Sequence, residues 1–156
     1  PLPEGEIRSF SGHTFFPVHL KYRVEAEFIR TPEAPVFEMP TTTARKPYYK
    51  LYAIARFTID TVVYELGLFQ SQDLIKKEEY KDYLFLPFKD YTNGFETYGG
   101  ARYIDLKIPE GDKIMIDFNK SYNPYCAYSS RFSCPIPPDE NALPFRVEAG
   151  IMFKEY

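Results

Sequence analysis

Two neighbouring stretches hold most of the side chains with which this chain could do chemistry. "TYGGARYIDL", Thr97 to Leu106, supplies tyrosines, paired glycines and an arginine. "DFNKSYNPYCAYSSRFSCPIPPDEN", Asp117 to Asn141, supplies Asp, Asn, Tyr and both cysteines. Flat rings combined with amide and carboxylate hydrogen bonds are what a pocket for a small polar ligand needs, a glycan fragment among them. The expected ligand-binding set is Tyr98, Gly99, Gly100, Arg102, Asp117, Asn119, Tyr122, Asn123 and Tyr125. Each residue also has a plain architectural use. Paired glycines permit positive φ or close approach, Asn119 and Asn123 can close turns, and Arg102 can bridge to Asp117 across adjacent strands. A phosphate loop needs a helix after its glycines. A strand pattern follows them here, which argues against a nucleotide.

The usual catalytic sets are thin. There is no G-x-S-x-G, and His13 and His19 lie far upstream of the dense region, so a Ser–His triad has little to build on. The weak candidates are Cys126 as nucleophile with His19 as base and Asp117 as orienter. Asp117 with Glu140 could hydrolyse a glycoside only if held about 5–9.5 Å apart. Cys126 and Cys134 have three readings: a disulfide, structural thiols, or a reactive thiol. A disulfide over so short a loop would stabilise by roughly 3 kcal/mol or less. Zinc wants four ligands at characteristic spacings that are missing, so no metal and no cofactor is expected.

These residues must be positioned by strands, because the dominant period is two. Tyr22, Val24, Ala26 and Phe28 alternate with charged residues. "VFEMP" is a short strand stopped by Pro40. Tyr49, Leu51, Ala53, Ala55, Phe57 and Ile59 share one face of a long hairpin; Val62, Tyr64, Leu66 and Leu68 share a face of its second arm. "DT" is an unusual turn for such a hairpin. "SQDLIKKEEYKDY" offers a helical turn or two at most. "LFLPF", Arg102–Ile108 and Lys113–Phe118 are further strands, and Asn93-Gly94 and "PEGD" are turns. Pro124, Pro135, Pro137, Pro138 and Pro144 make residues 119–144 a long ordered loop. A last strand is expected with Phe145, Val147, Ala149, Ile151 and Phe153 on one face. The fold class is therefore all-β: an antiparallel sandwich or partly open barrel of about eight strands, with the Pro-rich loop packed over one end.

At 156 residues the chain is expected to form one domain, 1–156. Its 44% apolar residues, with 14 Tyr and 14 Phe, exclude disorder. A net charge of −3 with dispersed basic residues argues against nucleic acid. No apolar run reaches the roughly 20 residues of a membrane-spanning helix.

"LFLPFKDYTNGFETYGGARYIDL", "DFNKSYNPYCAYSSRFSCPIPPDENALP", "VEAG" and "FFPVHLKYRVEAEF" together resemble the bacterial and archaeal family known as domain of unknown function 1684. The likeness spans nearly the whole chain. It departs at Ala101, where the family pattern has a third glycine. The resemblance implies no activity, since that family has no established biochemical role. The expectation drawn from all this is a non-enzymatic binding module for a small polar ligand or glycan, extracytoplasmic (secreted or a lipoprotein) in an exporting bacterium. The alternatives are a hydrolase using Asp117 or Cys126 with a histidine, and a structural or interaction domain.

Overall fold

The computed structural model describes residues 14–153. It is all-β. The strands are β1 (Arg23–Arg30), β2 (Val36–Glu38), β3 (Tyr48–Ile59), β4 (Val62–Ser71), β5 (Tyr83–Phe88), β6 (Arg102–Lys107) and β7 (Lys113–Asp117). All belong to one seven-stranded antiparallel sheet, ordered β6-β5-β4-β3-β1-β7 with β2 added beside β3. The sheet curls into a half barrel. Strands β6 and β7 are consecutive in sequence yet do not pair; they form the two edges. Among the described residues no helix is long and apolar enough to cross a membrane, and "SQDLIKKEEYKDY" yields only the 3₁₀ turns Leu74–Lys76 and Glu78–Tyr80.

The concave face carries the main core. Tyr22, Val24, Ala26 and Phe28 point into it, as their alternation predicts, and meet Ala53, Ala55, Phe57, Leu66, Leu68, Leu84, Ile104, Ile114 and Ile116. The expected single face of β3 is corrected here. Leu51 pairs with Phe69 but Ala53 pairs with Leu68, so Tyr52 is an extra residue and a bulge. The bulge rotates everything before it to the other side of the sheet. Tyr49 and Leu51 thereby join a second cluster on the convex face, with Met39, Phe69, Phe85, Ala101 and Tyr103.

Pro87 sits inside β5, where the missing N–H should break the ladder. The β4–β5 register is indeed confined to Phe69 opposite Phe85. Asn141, fully buried, fills the gap like a peptide unit. Its Oδ1 accepts from Gly67 N at 2.8 Å, and its Nδ2 donates to Gly67 O at 3.0 Å and Pro87 O at 2.7 Å. A single amide thus replaces the backbone pairing that a proline cannot make.

The expected last strand is not a strand. Val147, Ala149 and Ile151 are buried in alternation, yet between 145 and 153 only Ile151 makes a β-bridge, to Phe15. The reason is Arg102. Its side chain is fully buried at the start of β6 and takes over the work of a neighbouring strand. Its guanidinium donates to Val147 O at 2.9 Å, to Ala149 O and to Ile151 O at 3.3 Å. The charge is balanced by Asp90, 3.2 Å away and equally buried, whose Oδ2 accepts from Val147 N at 2.7 Å. The Phe88 ring lies under the guanidinium at 5.1 Å. Gly150 lets the segment fit: its φ is +80°, and a Cβ would lie 1.9 Å from Ser121 Oγ.

Two predictions follow from this scaffold. The β3–β4 turn holds both Asp60 (φ 50°) and Thr61 (φ 67°) at positive φ, a strained state for a β-branched side chain. Thr61→Gly should raise the unfolding free energy by about 1 kcal/mol in urea titration, the relief of strain exceeding glycine's entropic cost. Arg102→Met should cost about 3–5 kcal/mol, because it strands a buried carboxylate. Under native hydrogen exchange the amides of 147–151 should lose protection first. Protection equal to wild type there would show that the guanidinium does not hold the segment.

Candidate functional site

The nine residues expected to gather at one site fall into three groups: Arg102 in one place and Asp117 with Asn119 in another, all spent on the fold; Tyr98, Gly99 and Gly100; and Tyr122, Asn123 and Tyr125. Arg102 is consumed by the interior. Its acidic partner is Asp90, beside the β5–β6 pair, and the expected bridge to Asp117 is corrected: Asp117 ends β7, at the far edge of the sheet. Asp117 instead caps the 3₁₀ turn Phe118–Lys120, its Oδ1 accepting from Asn119 N at 3.0 Å and Asn119 Nδ2 at 2.9 Å. Asn119 in turn accepts from His19 N and donates to His19 O, both at 3.0 Å. His19 is exposed, and its Nδ1 accepts from Lys21 N at 3.1 Å. This trio pins the start of the described chain to the end of β7. His13 lies outside the described residues.

Tyr98, Gly99 and Gly100 form the second group. The Tyr98 ring packs edge-on against Phe153, centroids 5.4 Å apart. Neither glycine has positive φ. A Cβ on Gly100 would lie 2.4 Å from the Tyr98 ring, so that glycine is explained by its own neighbour. Ala101, where the family pattern has glycine, is buried with ordinary φ. The hollow beside Tyr98 and Gly100 measures only about 30 Å³.

Cys126 and Cys134 form a disulfide. A sulfur so engaged offers no thiolate, which removes Cys126 from nucleophilic chemistry as the molecule stands. The bridge closes a loop that packs on the convex sheet face and not, as expected, over an end. Tyr103 Oη donates to Pro135 O at 2.5 Å, and Thr41 forms a β-bridge with Pro135. Among the described residues no group of three His, Cys, Asp or Glu is placed to hold a metal.

Tyr122, Asn123 and Tyr125 do converge. With Tyr49, Tyr83, Phe85, Tyr103, Asp105 and the loop from Ser133 to Pro135 they line an open cavity of about 400 Å³. It exists because the disulfide loop stands off the sheet where the convex cluster ends. Tyr103 and Asp105 lie on the outward face of β6, opposite Arg102 and Ile104. Tyr122 is held to that edge by two backbone bonds with Tyr103, each 2.9 Å. Its Oη donates to Asp105 Oδ1 at 2.6 Å, and Tyr83 Oη donates to the same oxygen at 2.7 Å. Asp105 Oδ2 has no partner among the described residues. Asn123 is buried at the margin and donates through Nδ2 to Tyr128 Oη at 2.9 Å. Tyr49, Tyr83, Phe85, Tyr103 and Asp105 are wall residues that the expected set lacks. The signal for Asp105 was its alternation with Tyr103 in "RYIDLK".

A second hollow of about 540 Å³ runs over β3 and β4 between Phe37, Ile54, Gly67 and Pro138. Of its polar neighbours Asn141 is committed to the β4–β5 gap and Glu65 to Arg56 at 2.7 Å, which leaves the Glu140 carboxylate, and its aromatic rings are Phe37 and Phe69 alone. It is the less promising of the two.

Burial pushes the hydroxyls of Tyr83, Tyr103 and Tyr122 far above the ordinary tyrosine range; the Asp105 carboxylate adds to this for Tyr83 and Tyr122. The consequence has a sign. Folded-state values above the unfolded value of about 10 mean that these contributions are complete below pH 10 and are lost as pH rises beyond it. Between pH 10 and 11.5 the unfolding free energy should fall by up to about 1.4 kcal/mol per pH unit for the buried Tyr103. The decrement for half-exposed Tyr122 should be smaller because solvent screens it. Urea titrations should show a shallower decline for Tyr83→Phe than for wild type; parallel curves would contradict the assignment.

The comparisons with known proteins agree with this architecture. A comparison with curated proteins finds no match. The chain is similar to an uncharacterized protein of Haloarcula marismortui whose structure was determined by solution NMR. The two share 35% identity over 97% of this chain and 82% of the other, with a TM-score of 0.76. The profile of the family described as "Protein of unknown function (DUF1684)" matches residues 8–152, nearly the full length, and the chain belongs to that family.

Proposed function

We propose that the protein is a non-enzymatic binding module for a small polar ligand, seated in the Asp105 cavity. The observation that carries this reading is a carboxylate with one oxygen held by two tyrosine hydroxyls and the other unpartnered, at the side of a ring-lined hollow. A volume of about 400 Å³ falls within the range typical of small-molecule sites. The rings supply flat apolar contact and the carboxylate fixes orientation, a combination that suits a sugar face or an amine. The chemistry expected of a hydrolase has no comparable support. Cys126 is in a disulfide, and His19 and Asp117 are both tied to Asn119 and line neither of the two cavities described above.

A thermal-shift screen of sugars, amines, carboxylic acids and nucleotides tests the reading. At least one class should raise the melting temperature, by mass action on the folded state. The shift should vanish in a double variant, Asp105→Asn with Tyr122→Ala. A panel without any shift, or a shift that survives in the double variant, would remove the cavity from consideration.

A further inference from the structure

The lining of the Asp105 cavity has a sign of charge and a hydrogen-bond polarity, and both point the same way. Among the described residues Asp105 is the only charged side chain along it; Arg45 and Asp73 act on Tyr49 from outside the wall. Donors are scarce because most are already used. The Tyr83 and Tyr122 protons go to Asp105 Oδ1, the Tyr103 proton to Pro135 O, and Asn123 Nδ2 to Tyr128 Oη. Ser133 Oγ is engaged with Thr41 Oγ1 at 2.9 Å and Thr43 Oγ1 at 2.7 Å. What remains for a ligand is Asp105 Oδ2, the outer lone pairs of the phenolic oxygens and the negative faces of the rings, with the hydroxyls of Tyr49 and Tyr125 and the second Nδ2 proton of Asn123 as the few donors left. An anion would meet a carboxylate and no compensating cation. A sugar, whose every hydroxyl both donates and accepts, would find few donors for its acceptors, and buried unmatched groups are costly.

We infer that the cavity takes a cation, the ammonium group of a small amine or quaternary amine, held by the Asp105 carboxylate and by the ring walls around it. The inference rests on the binding reading above and narrows its ligand class. Rings and a carboxylate are complementary to an alkylated ammonium for separate reasons. The ring quadrupole attracts positive charge at its face, most strongly where water is displaced. The carboxylate supplies the counter-charge without demanding a donated hydrogen bond. The two tyrosine protons on Oδ1 fix the carboxylate plane and leave Oδ2 as the exposed anionic oxygen.

The test is an NMR titration of the folded chain, at constant ionic strength, with three compact probes of similar shape and one sugar. These are tetramethylammonium, tert-butanol, pivalate and methyl glucoside, and the readout is the backbone amides of 103–105 and 122–125. Tetramethylammonium should shift those amides saturably, while tert-butanol and pivalate leave them in place. Asp105→Asn should weaken the binding at least tenfold. Tyr122→Leu, which keeps the charge and removes a ring, should weaken it at least fivefold. Spectra elsewhere should be unchanged in both variants. If methyl glucoside saturates these amides and tetramethylammonium does not, the cation is wrong while the cavity survives as a binding site. If none of the four probes moves them, the cation and the binding reading fail together. Undiminished affinity in Asp105→Asn would also overturn the inference.

Discussion

A single ion pair inside the half barrel carries the rest of the structure. Arg102 and Asp90 have no solvent contact through their side chains, and burying two charges is favourable only when nearly all their hydrogen-bonding capacity is used. Here it is used on backbone. The guanidinium binds the carbonyls of Val147, Ala149 and Ile151, and the carboxylate binds Val147 N and Thr92. An open sheet must cover its edges and fill its mouth. This chain does so with an extended segment that is not paired into the ladder and is instead clamped by a charged fork.

The same strand then works in two directions. Arg102 and Ile104 point into the core, whereas Tyr103 and Asp105 point out beneath the disulfide loop. The clamp fixes β6 from within, so the outer face can carry a partly hydrated carboxylate and exposed rings that the fold does not need. Asn141 extends the pattern. It repairs the β4–β5 ladder from inside the Pro-rich segment, so that segment is bound near its start by the Tyr103–Tyr122 bridge, further on by the Thr41–Pro135 bridge and near its finish by the amide. A loop held this way can stand off the sheet and leave a cavity without collapsing onto it.

Much of this was legible in the residues, and what was hidden has a physical cause. Period-two alternation placed β1, the long hairpin, β6 and β7, whereas β5 stood out as a short apolar run, buried on both faces. Alternation could not reveal the bulge at Tyr52, since odd-numbered residues are apolar on both sides of it. It read 145–153 as a strand because burial alternates there; what the carbonyls bond to leaves no local pattern. Asp90 hides inside "KDYTNG", where a turn accounts for every residue. The dense "FNKSYNPY" run directed attention to its amides. Asn119 proved to be a tether and Asn123 a cavity margin, while Tyr122 led to the site. Asp105 was detectable from its place beside Tyr103, yet an acidic residue on an outward face is ordinarily just solvated.

Of the two acidic residues at the two faces of β6, Asp90 holds the fold and Asp105 does not. The most direct check is the unfolding free energy of Asp105→Ala. Its two tyrosine hydrogen bonds lie at an open cavity where water can replace them, so the loss should stay within about 1 kcal/mol. A loss of about 3 kcal/mol or more, the scale of a broken buried pair, would make Asp105 a structural hub and contradict its assignment to a ligand.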